Sequence, residues 1–254
     1  MVNFIKRIIL TILDKMGYCL LAKKPAVISF PDMDKEFQDI YRKCKDYTLT
    51  GPQRMYTLYK AVQYIVENNI PGDFVECGVL KGGNPMLIAY TLKQMNDVKR
   101  KIYLYDTFEE ECSKSKEKDV DVWGRPPSAF LHHLNKKDVQ DLWGIPLSQV
   151  RENLSLTGYP LDKIVFVKGM VEKTLPGIMP EQIALLRLDT DWYESTYHEL
   201  LHLFPRLSKH GVVIIDDYGF FQGAREATDQ YFKENNVRIF LNRVDYSARL
   251  GIKV

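Results

Sequence analysis

Residues 183–219 constrain the fold of this 254-residue chain more than any other stretch. They read IALLRLDTDWYESTYHELLHLFPRLSKHGVVIIDDYG. The runs 183–188 and 211–215 have the length and apolar density of buried parallel strands, and helical spacing fills 194–207 between them. A strand, a helix and a strand make a right-handed crossover unit whose strands run the same way. Asp189 and Asp191 then emerge beside Asp216 and Asp217 at the carboxyl edge of the sheet, where open α/β sheets bind ligands. Like charges so placed raise one another's pKa, which calls for a cation or a proton among them. A hard divalent ion is the natural occupant, since Mg²⁺ takes oxygen ligands octahedrally and keeps positions for water or substrate oxygens. Asp189 or Asp191 alone reads equally well as a cap for the helix starting near Ser195; two pairs at two strand ends do not.

Composition excludes several classes. The 35 Lys and Arg against 33 Asp and Glu give a formal +2, too little for a field that would select nucleic acid or an acidic partner. Cys19, Cys44, Cys77 and Cys112 stand far apart with no CxxC or Cys/His pattern, which excludes a disulfide scaffold and a zinc site and fits a reducing cytoplasm. Residues 1–24 are apolar but interrupted by Lys6, Arg7, Asp14 and Lys15, too early for a membrane span, and no small-residue cleavage pattern follows. Ile5, Ile8, Ile9, Ile12, Leu13, Met16 and Leu20 fall on one helical stripe. Such a stripe is expected to pack on its own domain or a second subunit, making a homo-oligomer; an anionic membrane surface is the less favoured alternative. Residues 1–47 are read as a helical arm, with a short helix over 34–44, and 48–254 as the main domain.

In chain order, a helix is expected after Gly51-Pro52 and stops near the NNIPG run at 68–72. Residues 73–77 (DFVEC) form the first core strand, and a GxxxGG turn at 78–83 leads into a helix running to about Met95, its glycines read as letting backbone approach a ligand. This is not the GxGxxG fingerprint. Residues 101–105 (KIYLY) form the next strand and end in Asp106, at the interval where nucleotide-binding α/β domains place an acid for ribose hydroxyls, so Glu76 and Asp106 flank one pocket. The charged 109–121 and irregular 123–127 segments read as a lid. A helix follows Pro146, residues 163–168 (KIVFVK) make another strand, and 169–171 face the same crevice. A helix over 222–235 and strands at 237–241 and 249–254 close the chain. His132 and His133 lie in a charged stretch; His198 and His202, four apart but without HExxH, are read as surface residues.

Taken together, LTGPQR, IPGDFVECGVLKGG, IYLYDTFE, DVDVWGRP, VRENLSLTGYPLDKIVFVKG, LLRLDTDWYEST and VVIIDDYGFFQGAREATDQYF resemble the macrocin-O-methyltransferase type of S-adenosylmethionine-dependent, metal-dependent sugar O-methyltransferases. The resemblance spans about 48–232 and implies a Rossmann-like class I methyltransferase fold: a mostly parallel, doubly wound α/β sheet with an antiparallel closing strand. It implies S-adenosylmethionine and Mg²⁺ as cofactors and a small-molecule or glycan acceptor. Residue by residue, it makes Asp189, Asp216 and Asp217 metal ligands and Asp191 the general base, and it places Thr50, Glu76, Gly78, Asp106, Gly169 and Val171 at the methyl donor. Leu80-Lys81 and Asn84 in the donor loop, Glu109-Glu110 and the end after Asp245 depart from the family's usual residues. Two other readings stand beside it: a non-catalytic binding or assembly protein on the same fold, and a nicotinamide-dependent sugar oxidoreductase, which the missing GxGxxG disfavours.

Overall fold

The structure is a computed structural model that describes residues 30–108, 117–127, 129 and 144–254. The expected helix over 1–24, His132 and His133, and residues 109–116 of the expected lid lie outside the described residues. Residues 35–254 form one compact unit.

The unit is built on a seven-stranded sheet in the order β3-β2-β1-β4-β5-β7-β6. Its strands are β1 (Asp73–Cys77), β2 (Ile102–Asp106), β3 (Ile164–Lys168), β4 (Ile183–Leu188), β5 (Leu207–Ile215), β6 (Asn242–Arg243) and β7 (Arg249–Ile252). The first five are parallel, whereas β7 runs antiparallel to β5 and β6 antiparallel to β7. Helices α1 (Lys35–Cys44), α2 (Pro52–Glu67), α3 (Gly83–Gln94), α4 (Leu147–Ser155), the single turn α5 (Val171–Thr174), α6 (Tyr193–Leu203) and α7 (Gln222–Glu234) cover it. This is the mostly parallel, doubly wound α/β fold that the sequence predicts. Among the described residues no helix is long and apolar enough to cross a membrane.

The period of two along each strand divides the core into two faces. Val75, Cys77, Leu186, Leu188, Val213 and Ile215 pack toward Leu200 and Leu203 of α6 and Tyr231 and Phe232 of α7. On the alternate positions Phe74, Glu76, Leu185, Arg187 and Ile214 are buried on the other face, where α2 packs against β4 and β5 and α3 packs on α2. All six residues of β4 are buried, as a central parallel strand requires. Burying each large aliphatic side chain contributes about 1.5–3 kcal/mol, so the continuous apolar run itself selects this strand for the middle of the sheet.

Two boundaries differ from expectation. The helix expected over 194–207 ends at Leu203, because Pro205 lacks the amide an α-helix needs, and β5 begins already at Leu207. Residues 237–241 do not form a strand: Val237, Ile239 and Leu241 pack against the core, and pairing begins only at Asn242, where the bond from Val244 N to Ala248 O (3.0 Å) sets the hairpin.

Strand order reverses between β1 and β4, the switch point at whose carboxyl ends such sheets bind ligands. There Gly78 has φ +83°, and a Cβ on it would lie 1.9 Å from the Asp189 carbonyl oxygen; a Cβ on Gly83 would meet the backbone of Tyr47. At both glycines the absent side chain lets one segment of the chain approach another. Gly78→Ala is accordingly expected to destabilise the protein by about 3 kcal/mol or more, because left-handed strain and a backbone clash add. A thermal melt should fall by roughly 6–12 °C for a unit of this size, and an unchanged midpoint would refute the account.

Candidate active site

The site is organised by a charged residue inside the apolar β4 run. In register, Arg187 lies opposite Glu76 of β1, so both side chains leave the sheet on the α2 face. Arg187 is only 2% exposed. Its Nη1 donates to Glu76 Oε1 (2.5 Å) and Asp189 Oδ2 (2.8 Å), and its Nη2 to Asp216 Oδ1 (2.6 Å) and Thr50 Oγ1 (3.3 Å). The Asn84 amide lies 3.0 Å from Thr50 Oγ1 and, with its oxygen toward the guanidinium, accepts from Nη1 at 3.1 Å and Nη2 at 3.2 Å. From α2, Arg54 pairs with Asp216 Oδ2 and, through Nε, with Asp245 Oδ2 at 3.2 Å. The acids therefore converge as the sequence predicts, but part of the cation among them is supplied by the chain itself.

That supply is incomplete. Glu76, Asp189, Asp191, Asp216, Asp217 and Asp245 are six carboxyls facing two guanidiniums, which leaves four negative charges when all are ionised. Burial first, then Asp191, Asp189 and Asp216, drives Asp217 well above the ordinary carboxylate range. Burial, then Asp189 and Asp216, likewise raises Asp191. Asp189, Asp216 and Asp217 each offer an oxygen within 4.8 Å of the others. Hard oxygen donors, excess negative charge and mutual proximity fit a divalent ion.

Asp191 is set apart by its backbone. It has φ +66°, and its amide donates to Asp217 Oδ2 at 3.3 Å. The loop that holds it is fixed from below, where Thr190 Oγ1 bonds Glu199 Oε1 (3.0 Å) and Oε2 (3.2 Å) on α6. From above, Asp119 Oδ1 accepts the Tyr193 amide at 2.8 Å, and the 117–125 segment docks through Gln222 N to Val120 O (2.8 Å) and a bridge between Asp121 and Phe221.

On the neighbouring strands the donor-side residues meet one another. Asp106 Oδ2 accepts from Val79 N (2.6 Å) and Leu80 N (3.2 Å), and its Oδ1 from Phe108 N (2.7 Å), so this acid fixes the glycine turn. Gly169 N donates to Asp106 O at 2.9 Å, and Val171, buried, opens α5 beside it. Glu76 Oε2 is buried and has no hydrogen-bond partner. Every residue expected at the site thus lies at this one sheet edge. Arg187, Arg54, Asn84, Glu199, Asp119 and Asp245 are the components that sequence reasoning missed. A signal existed only for Arg187, a charge inside a buried strand. His198 and His202 are half-buried with rings 4.5 Å apart, and His198 Nε2 lies 3.3 Å from Leu175 O. A separate hollow at the opposite, amino edge is lined by Asp73, Arg100 and Tyr103, and Arg100 is tied there to Asp97, Ile70 O and Gly72 O.

The model of the macrocin-O-methyltransferase (TylF) family matches residues 36–250. The chain belongs to this family. Among curated relatives, an 8-demethyl-8-(2,3-dimethoxy-alpha-L-rhamnosyl)-tetracenomycin-C 4'-O-methyltransferase of Streptomyces olivaceus is 35% identical over 73% of this chain and 67% of its own length. A mycinamicin III 3''-O-methyltransferase of Micromonospora griseorubida is 30% identical over 78% of this chain and 75% of its own. Among solved structures, the O-methyltransferase NovP superposes with TM-score 0.71 at 26% identity, covering 82% of each chain. The calicheamicin methyltransferase CalS11, at 17% identity over 88% of this chain and 93% of its own, shares the fold with TM-score 0.59. As a member of the macrocin-O-methyltransferase family the chain is an O-methyltransferase with a class I fold.

Removing one member of a buried ion cluster leaves its partners uncompensated, which typically costs 3–5 kcal/mol. Arg187→Met should lower unfolding free energy by about that much in a urea titration. Arg187→Lys should recover less than half, because a point charge cannot bridge three carboxylates as a guanidinium fork does. A wild-type-like Arg187→Met would show that the cluster contributes nothing to stability.

Proposed function

We propose that this protein moves a methyl group from S-adenosylmethionine to a hydroxyl of a sugar or glycoside, with a bound Mg²⁺ and Asp191 as general base. The observation that carries the reading is the group Asp189, Asp216 and Asp217 at the switch point, with Asp191 held beside it in a left-handed turn. The relatives' acceptors, a rhamnosyl tetracenomycin and a mycinamicin, motivate the sugar class. Residues 48–254 form the methyltransferase domain in this reading, acting in the cytoplasm as a homo-oligomer.

A divalent ion would be held by Asp189, Asp216 and Asp217 and would supply Lewis acidity toward the acceptor hydroxyl, while the donor would supply an electrophilic methyl group. The remaining work falls to the chain. Thr50, Glu76, Gly78, Asp106, Gly169 and Val171 position the donor, and the orphaned Glu76 Oε2 suits a donor ammonium or hydroxyl. Asp106 accepts from the backbone of Val79 and Leu80 on the turn and of Phe108 and Thr107 after its own strand, so it holds the donor loop first, and a ribose hydroxyl would share or replace one of these bonds. Asp191 takes the acceptor proton as the oxygen–methyl bond forms and the sulfur–methyl bond breaks. Burial, then Asp189 and Asp216, raise Asp191 above the ordinary carboxylate range when no ion is bound, and a bound divalent ion would offset the share due to the acids.

Calorimetry with S-adenosylhomocysteine and with NAD, with and without Mg²⁺, separates this reading from the nicotinamide and the non-catalytic alternatives. Asp106→Ala should weaken S-adenosylhomocysteine binding about tenfold or more, through ribose and turn together. In a methyl-transfer assay, Asp216→Asn should raise the Mg²⁺ needed for half activity and be rescued in part by excess metal. Asp191→Asn should leave that requirement unchanged and lower turnover by roughly 10²–10⁴. If Asp191→Asn lost metal binding as severely while turning over normally at saturating Mg²⁺, Asp191 would not be the base.

The pH dependence has a definite sign. A raised carboxyl gains its proton at higher pH, so activity should fall on acidification with a midpoint above the ordinary value of about 4, and more Mg²⁺ should move that midpoint down. A midpoint at or below the ordinary value would contradict it.

A further inference from the structure

We propose that the turns bearing the acidic pairs also build an aromatic subsite, Trp123, Phe220 and Tyr246, which takes a flat apolar ring of the acceptor next to the sugar being methylated. The inference rests on the proposed acceptor class. It starts from the connectivity of the aromatic groups to the acids. Phe220 N and Phe221 N both donate to Asp217 O, at 3.0 and 2.9 Å. The Phe221 ring meets Trp192, the residue after Asp191, with centroids 5.3 Å apart. Phe220 meets Phe221 at 4.9 Å, Trp123 at 6.1 Å and Tyr246 at 6.1 Å, each nearly edge-to-face. Tyr246 precedes Ser247, whose Oγ donates to Asp216 O at 2.7 Å and whose carbonyl accepts from Gly219 N. Phe220 and Ser247, the neighbour of Tyr246, are therefore bonded to the backbone of Asp217 and Asp216, and Trp123 joins them through its contact with the Phe220 ring. An acceptor hydroxyl at the carboxylates must lie against these same turns.

Exposure and rigidity give the second argument. Trp123 is 68% and Tyr246 61% exposed. The backbone that carries it is nevertheless fixed: Asp121, wholly buried, accepts from Trp123 N and Arg125 N at 2.9 Å through Oδ1 and from Arg125 Nε at 2.7 Å through Oδ2. The Arg125 guanidinium then stands 4.5 Å from the Trp123 ring centroid and backs it. A solvent-facing indole on a backbone fixed by a buried carboxylate, backed by a guanidinium and met by Phe220, offers a stacking surface of the kind that lines small-molecule sites. A second protein is a poorer occupant. Aromatic side chains bury about 150–250 Å² each when fully covered, so two exposed rings and part of a third fall short of the roughly 800 Å² per partner of a stable interface.

The test compares phenyl and methyl α-L-rhamnopyranoside by calorimetry in the presence of S-adenosylhomocysteine and Mg²⁺. Wild type should bind the phenyl glycoside about five- to tenfold more tightly, the scale of one good ring contact. Trp123→Ala and Tyr246→Ala should each cut that preference to about twofold or less, and Trp123→Phe should keep most of it. S-adenosylhomocysteine affinity, unchanged in the variants, reports that the donor site is intact. Failure of wild type to bind S-adenosylhomocysteine would count against the methyltransferase reading, whereas the phenyl-to-methyl ratio speaks to the shelf. Equal affinities, no binding of the phenyl glycoside, or a preference that survives in both alanine variants would overturn the proposal. So would a change of mass in light scattering with the glycoside ratio intact, which would make this face a contact between copies of the chain.

Discussion

The guanidinium of Arg187, lying between Glu76, Asp189 and Asp216, is the interaction on which the rest of the site depends. An ionised side chain in a central parallel strand is tolerable only if its charge and its donors are all met, and here carboxylates from three adjacent strands meet them. Conversely, those acids reach the switch point already fixed, all three sharing one guanidinium fork and Asp216 gripped from a second side by Arg54. Preorganised charge costs no rearrangement when a ligand arrives, which is the condition under which electrostatic catalysis is effective. The network holds more carboxyls than guanidiniums, and burial with mutual repulsion raises Glu76, Asp191 and Asp217 above the ordinary carboxylate range.

Structural and chemical duties are carried by the same residues throughout this edge. Asp106 secures the Val79–Leu80 turn with one carboxylate oxygen and Phe108 with the other. Thr190, between two acids, is tied through its hydroxyl to buried Glu199, and burial drives that Glu well above its usual range. Asp191 keeps a left-handed backbone, which Gly and short polar residues such as Asp adopt at little cost. The loops containing Asp119, Asp121 and Tyr246 then wrap the acids with backbone bonds and aromatic rings, giving the crevice a wall whose character differs from its charged floor.

Much of this was legible in the residues. Apolar run length and the repeated acidic pair predicted β4, the following helix, β5 and the convergence of four carboxylates, because a right-handed crossover leaves little geometric freedom. Glycine and proline punctuation marked the donor turn, and motif order identified the methyltransferase family. The closing strands were less legible, since Val237, Ile239 and Leu241 satisfy a strand's apolar alternation while using it to pack against the core rather than to pair.

The sequence by itself therefore determined the central strands and helices, the parallel crossover from β4 to β5 and which acids share an edge, all consequences of local periodicity and chain connectivity. Only the tertiary structure decided that a guanidinium rather than a metal alone sits among them, that Arg54 and Asp245 join from segments nearly 200 residues apart, and that Trp123 meets Phe220. Those contacts depend on strand register and on helix and loop docking, which place side chains distant in sequence within a few ångströms. No spacing along the chain encodes such distances.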